Sequence, residues 1–234
     1  MFKAILFDLD GTLLPMDLDE FVRHYFSLLT EKLAYLINPE LMYQSILTAT
    51  KAMIQSTEPD KSNETVFFDT FLPLVKLSED TLRPAFDQFY QNEFKKLRKY
   101  TTTHTIVKDI LEHLTNKGYR LALATNPLFP APAVTERMKW AGIADYPWEL
   151  ITSYENSHFC KPNPNYYQEI LNKLKLEPEE CLMVGNDTGE DLSAAQLGIK
   201  TYLITDHLID RGNSQWKENY RGTIKDFADF VKVL

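Results

Sequence analysis

The chain has 234 residues, of which 44% are hydrophobic and 25% charged, and its formal net charge is −8. That length buries a sizeable core and suits either one large domain or a core carrying an inserted subdomain. Acids and bases are interspersed, and the acidic balance argues against a nucleic-acid or anionic-membrane partner, because phosphate backbones select for clustered Lys and Arg.

The first run, KAILFDL over residues 3–9, is short, apolar and followed by Gly11, which predicts a buried strand. It is cut by Asp8 too early for a signal peptide, and no uncharged apolar run approaches bilayer length. Residues 16–100 carry no strand-like run and read as four amphipathic helices. In DLDEFVRHYFSLLTEKLAYLI, Phe21, Val22, Tyr25, Phe26, Leu29, Leu33 and Leu36 recur at three- and four-residue steps. PELMYQSILTATKAMIQ opens on Pro39, a favoured first-turn residue. SNETVFFDTFLPLV and SEDTLRPAFDQFYQNEFKKL follow, the latter with Ser78 as N-cap.

From residue 101 the texture alternates. Helical stretches IVKDILEHLTNKG, APAVTERMKWAG, NYYQEILNKLKL and DLSAAQLG separate strand-like runs YRLALAT, WELIT, CLMVG and KTYLI. Gly118, Gly142 and Gly198 stand where a left-handed C-cap wants no Cβ. This alternation predicts an α/β, doubly wound (Rossmann-like) parallel sheet core built from residues 1–15 and 101–234. Residues 16–100 form an inserted all-helical block, placed to cap a site at the strand ends. Cys160 and Cys181 belong to no CxxC pair and read as reduced thiols of a cytoplasmic protein.

In open α/β sheets ligands bind beyond the carboxyl ends of the strands. The polar residues there are Asp8 and Asp10 in FDLDGTL, Thr125 and Asn126 in LATNP, Lys161 in HFCKPNP, and Asn186, Asp187 and Asp191 in GNDTGED. Several carboxylates in one cleft repel one another unless a cation neutralises them. Oxygen donors without clustered His or Cys favour Mg²⁺ over Zn²⁺. Gly11 permits a sharp turn that offers backbone N–H groups to an anion. Thr125 supplies a hydroxyl donor and Lys161 a point positive charge, and phosphoryl transfer needs this positioning and charge neutralisation. Taken singly each residue has a bland reading: Thr125 as a strand-end hydroxyl, Lys161 as a solvated loop lysine, Asn186, Asp187 or Thr188 as a helix cap. The conjunction of four clusters at four strand ends is what is specific.

FDLDGTL, LATN, KPNP and GNDTGED, in that order, resemble the four signature motifs of the haloacid dehalogenase-like superfamily. The likeness covers roughly residues 1–15 and 101–234, and the helical block matches the position of that superfamily's C1-type cap. It implies a Mg²⁺-dependent phosphatase acting on a small phosphorylated metabolite through an aspartyl-phosphate on Asp8. It implies metal ligation by Asp8, the Asp10 carbonyl and Asp187, with Asp191 and Asn186 in support. Asp10 would be the general acid and base. Thr125 and Lys161, with Asn126 beside them, would hold phosphoryl oxygens. Dehalogenases lack an acid at the position of Asp10, so the DxD points to a phosphatase. A phosphomutase is the nearest enzymatic rival, and a phospho-accepting regulator or an idle binding protein are the non-enzymatic ones. Beyond the motifs, Arg23 and His24 on the polar side of the first helix are candidate substrate contacts, and Lys32 and Lys51 are the lysines open to Schiff-base chemistry. The PLFPAP loop after Asn126 is expected to shape the site, and the aromatic residues to fill the helical block, some facing the cleft. Oligomeric state is not encoded in any of these features.

Overall fold

A computed structural model describes every residue except Met1 and Asn213. Six parallel strands form one sheet in the order β3-β2-β1-β4-β5-β6. They are β1 (Ala4–Phe7), β2 (Arg120–Leu123), β3 (Trp148–Ile151), β4 (Cys181–Gly185), β5 (Lys200–Ile204) and β6 (Tyr220–Gly222). Side chains alternate across the sheet, so Ile5 and Phe7 of β1 join one apolar cluster while Ala4 and Leu6 join another on the opposite face. Helices cover both faces, which is why the central strands are unbroken apolar runs. The α5 (Thr105–Asn116) and α8 (Ile224–Lys232) helices pack together, and α7 (Pro164–Leu174) packs with the 3₁₀ helix Leu192–Leu197. The α6 helix (Ala131–Ala141) follows β2.

Between β1 and α5 lie α1 (Leu18–Leu33), α2 (Pro39–Gln55), α3 (Asn63–Val75), α4 (Glu79–Gln91) and a 3₁₀ helix at Glu93–Tyr100. Asp17, Asn38 and Ser62 cap the first three through their side chains. Ser78 stands at the N-cap of α4, but its hydroxyl meets that of Thr81 at 2.9 Å rather than a backbone N–H. The chain enters and leaves this block side by side: Met16 bridges Thr101, and Thr102 N–H donates to the Pro15 carbonyl at 3.0 Å. The block shares one apolar cluster with a face of the sheet. Phe94 stacks on Trp140 of α6 at 5.4 Å between ring centroids, and Phe21 meets the same indole edge-on at 6.4 Å.

Three elements depart from the sequence reading. The fourth helix breaks at Asn92 and continues as a 3₁₀ helix. DLSAAQLG forms only the short 3₁₀ helix Leu192–Leu197, ended by Gly198 at φ +91°. Six residues are too few to reward α-helix nucleation. The expected sheet also gains β6 and α8 beyond the last predicted strand.

Candidate active site

The sheet reverses its winding between β1 and β4, and the polar residues gather at the carboxyl ends of those strands and of β2. Asp8 follows β1 directly. The chain then turns, with the Leu9 carbonyl accepting from the N–H groups of Thr12, Leu13 and Leu14. Gly11 adopts φ +82° in that turn, and a Cβ there would sit 2.3 Å from the Asn186 side-chain nitrogen. The backbone therefore does not stay extended through Asp10, yet both acids line one cavity of about 160 Å³. Thr125, Asn126, Asn186, Asp187, Glu190 and Asp191 line it too.

Lys161, 1% exposed, reaches the site from the loop after β3. Its ammonium donates to Asp8 Oδ1 at 2.9 Å and to Asp191 Oδ1 at 2.6 Å. Burial alone would push this lysine down, but Asp191 and Asp8 more than offset that and hold it well above its ordinary value. Burial raises the Asp8 carboxyl against the pull of Lys161, and Asp10 adds to the rise. Asp191 is raised by burial to about 6. Its second oxygen accepts the Asp187 N–H at 2.9 Å, so one side chain ties the lysine to the loop after β4. Gly185 makes room for that carboxylate, since a Cβ there would lie 2.1 Å from Asp191 Oδ2.

Asp187 Oδ1 accepts the N–H groups of Gly189 and Glu190, at 2.7 and 2.9 Å, and Oδ2 accepts from Arg211 at 2.6 Å. Both polar atoms of the Asn186 amide have protein partners. It accepts from the Thr12 hydroxyl at 2.9 Å and donates to the His207 carbonyl at 2.6 Å. Its amide thus braces the loops after β1 and β5. Asn126 likewise accepts the Lys161 backbone N–H at 3.2 Å and donates to Glu190 at 2.9 Å. Thr125 is held through its carbonyl, which accepts from Thr152 at 2.7 Å and Tyr166 at 2.9 Å.

Three site residues were not foreseen, Arg137, Glu190 and the Arg211 that binds Asp187. Arg137, wholly buried in α6, forms an ion pair with Asp10 and lies 4.5 Å over the Phe129 ring. Burial raises the Asp10 carboxyl, opposed first by Arg137 and then by Lys161. The Glu190 carboxyl is pushed up to about 7 by burial, with Asp187 and Asp191 adding to the rise. Other expectations shift. Arg23 and His24 line neither this cavity nor its neighbour; His24 stacks on Tyr100 at 3.7 Å, while Leu18 and Val22 present the apolar side of α1 to the cleft. Lys32 pairs with Glu93 at 3.2 Å and Lys51 is exposed, and neither lines a cavity here. The loop after Asn126 does reach the site, through Leu128 and Phe129. Among the described residues, no three His, Cys, Asp or Glu side chains close on a common point as a metal cage. A cation would need a backbone carbonyl to complete its protein ligands. No helix of the described chain is long and apolar enough to cross a membrane.

Residues 2–198 match a family model described as haloacid dehalogenase-like hydrolase. A phosphoglycolate phosphatase of Vibrio vulnificus is 33% identical over 123 residues, 53% of this chain and 51% of that one, so the match spans about half of each. A glyceraldehyde 3-phosphate phosphatase of Methanothermobacter thermautotrophicus is 29% identical over the full length of both. The crystal structure of a HAD phosphatase from Thermococcus onnurineus superposes with a TM-score of 0.61 over 98% of each chain at 20% identity, a likeness of fold.

Proposed function

Because the chain belongs to the haloacid dehalogenase-like hydrolase family, we propose that it is a Mg²⁺-dependent phosphatase that moves the phosphoryl group of a small phosphomonoester onto Asp8 and then onto water. The observation that carries this reading is the buried Lys161–Asp8 pair beside a second carboxylate, Asp10, on the wall of the same cavity. Relatives whose names specify phosphatases support it.

The donor set fits the metal. Five acids line the cavity, Asp8, Asp10, Asp187, Glu190 and Asp191, and the cations paired with them are Lys161, Arg137 and Arg211. The excess is negative and every donor is oxygen, which suits Mg²⁺ held by Asp8, Asp187 and the Asp10 carbonyl. Bound there, the ion would supply charge neutralisation to the phosphoryl oxygens and alignment of phosphorus with Asp8.

The Asp8 carboxylate attacks phosphorus in line, and the bond from phosphorus to the ester oxygen breaks. Asp10 gives its proton to the departing oxygen. It then takes a proton from the water that attacks the phospho-aspartate, which releases phosphate and restores Asp8. Lys161 and Thr125 meet the phosphoryl oxygens. Arg137 fixes the Asp10 carboxylate, opposing the burial that favours its protonated form. The helical block acts as a cap that excludes water and bulky substrates.

Steady-state phosphate release tests the reading. Asp10→Asn keeps the shape but cannot move a proton, so turnover of alkyl phosphates should fall by about 10²–10⁴-fold. Aryl phosphates should lose less in the first step, because their leaving groups need little protonation. Wild-type turnover of both by the variant would overturn the assignment, and a strict need for a bisphosphate activator would indicate a mutase.

A further inference from the structure

Beside the cleft lies a second cavity of about 210 Å³, walled by α1, α2, α3 and α4 on one side and by Leu128, Phe129, Pro130 and Tyr154 on the other. The two cavities share Val22, Leu128 and Phe129, so they adjoin across those side chains. No Asp, Glu, Lys, Arg or His lines the second one; its polar side chains are those of Thr50, Tyr25, Tyr90 and Tyr154. Of those, Tyr25 and Tyr90 bond to each other at 2.9 Å.

Two arginines lie over aromatic rings of this wall without lining the chamber. Arg83 lies 4.7 Å over the Phe68 ring, but its guanidinium binds Glu64 at 2.7 Å and also pairs with Glu79. Arg137 lies 4.5 Å over the Phe129 ring and pairs with Asp10 through Nη1, while its buried Nη2 has no hydrogen-bond partner among the described residues; it does not line the chamber. A substrate body carrying a carboxylate or a second phosphate would meet no charged side chain on this wall and would lose its hydration. An apolar cavity of roughly 150 Å³ accepts a benzene-sized ring, so this one has room for such a ring with a substituent, or for a short alkyl chain.

We infer that this chamber is the subsite for the substrate's leaving group, and that the substrate is a phosphomonoester with an uncharged, apolar body: a short alkyl chain or a single aromatic ring. The inference rests on the phosphatase reading. Continuity with the phosphoryl cleft argues for this occupant, since the chamber adjoins the cavity lined by Asp8 across Val22, Leu128 and Phe129. Residues with no part in the chemistry then set specificity: Phe67, Phe68, Phe86 and Leu47.

A homologous series of n-alkyl phosphates tests this, because lengthening the chain changes burial while leaving-group basicity stays nearly constant. From methyl to hexyl phosphate, kcat/KM should rise roughly fourfold per buried methylene. Phosphoglycolate should rank with methyl phosphate or below it. Leu47→Arg, at a wall position 40% exposed and so tolerant of a long polar side chain, should cut the hexyl-to-methyl ratio at least tenfold and raise phosphoglycolate relative to hexyl phosphate. A flat alkyl series, or a preference for phosphoglycolate in the wild type, would overturn the subsite and leave the phosphatase reading standing. Absence of turnover for every ester, and for the acyl phosphate acetyl phosphate as well, would count against the phosphatase reading instead. The chamber would then be judged by binding: benzylphosphonate tighter than phosphonoacetate supports it, and equal or weaker binding overturns it.

Discussion

The cleft over Asp8 and the chamber behind Phe129 share a wall and little else. The cleft is built from charged side chains that come off the ends of different strands and lock one another in place; Lys161 alone binds carboxylates 153 and 30 positions away. The chamber is built mostly from apolar side chains on four helices and two loops, and its walls carry no Asp, Glu, Lys, Arg or His. One region holds its charged groups through ion pairs and hydrogen bonds to one another, which is what chemistry at fixed geometry requires. The other offers volume and apolar contact, which can be altered without disturbing the charges. On the proposed reading, the difference teaches that reaction belongs to the strand ends and selectivity to a chamber walled by the inserted helices and two loops of the core.

The largest effect that would sharpen this contrast comes from Lys161→Met. Removing a buried ammonium leaves Asp8 and Asp191 without their shared partner, and breaking a buried pair in this way costs about 3–5 kcal/mol. Denaturant unfolding should report a loss of that order together with collapse of turnover. A solvated loop lysine would give an unchanged midpoint, and that result would mean the cleft is not held together by its charges.

Metal removal should have a somewhat smaller effect. If five acids facing three cations make the cleft the metal side of the molecule, Mg²⁺ at a hundredfold excess over its dissociation constant stabilises the fold by roughly 2.7 kcal/mol. Thermal melts in Mg²⁺ and in chelator should therefore separate, and Asp187→Ala should remove most of the separation. Coincident melts with undiminished activity in chelator would contradict the metal assignment.

The cleft was largely legible in the sequence because strand ends are legible: an acid, a hydroxyl or a lysine after one short apolar run is ordinary, but four such clusters at four strand ends are not. Asp8, Asp10, Thr125, Asn126, Asn186, Asp187 and Asp191 all line the one cavity, and Lys161 bonds to two of them. Arg137 was not legible. It sits 127 positions from Asp10, inside an amphipathic helix where a lone cation reads as solvated, and only the docking of α6 against the β1 loop brings the two together. The chamber was illegible for a related reason. A phenylalanine at helical spacing looks the same whether it faces core or cavity, and the sequence suggested the polar side of α1, at Arg23 and His24, where the apolar side faces the cleft. The α8 helix did leave a signal: Thr223 and Asp226 form a reciprocal capping box three residues apart. The strand before it left none, since Tyr-Arg-Gly at a sheet edge is too short and too polar to register.

The central claim is covalent, so the most direct measurement looks for the bond. Asp10→Asn should still accept a phosphoryl group from an aryl phosphate but should hydrolyse the intermediate slowly. Rapid quench followed by mass spectrometry of the digested protein should then find a burst of released alcohol matched by phosphate on the peptide containing Asp8. The Asp8→Asn protein should show neither burst nor label. Phosphate release by Asp8→Asn at the wild-type rate, or a label on any other residue, would contradict the account.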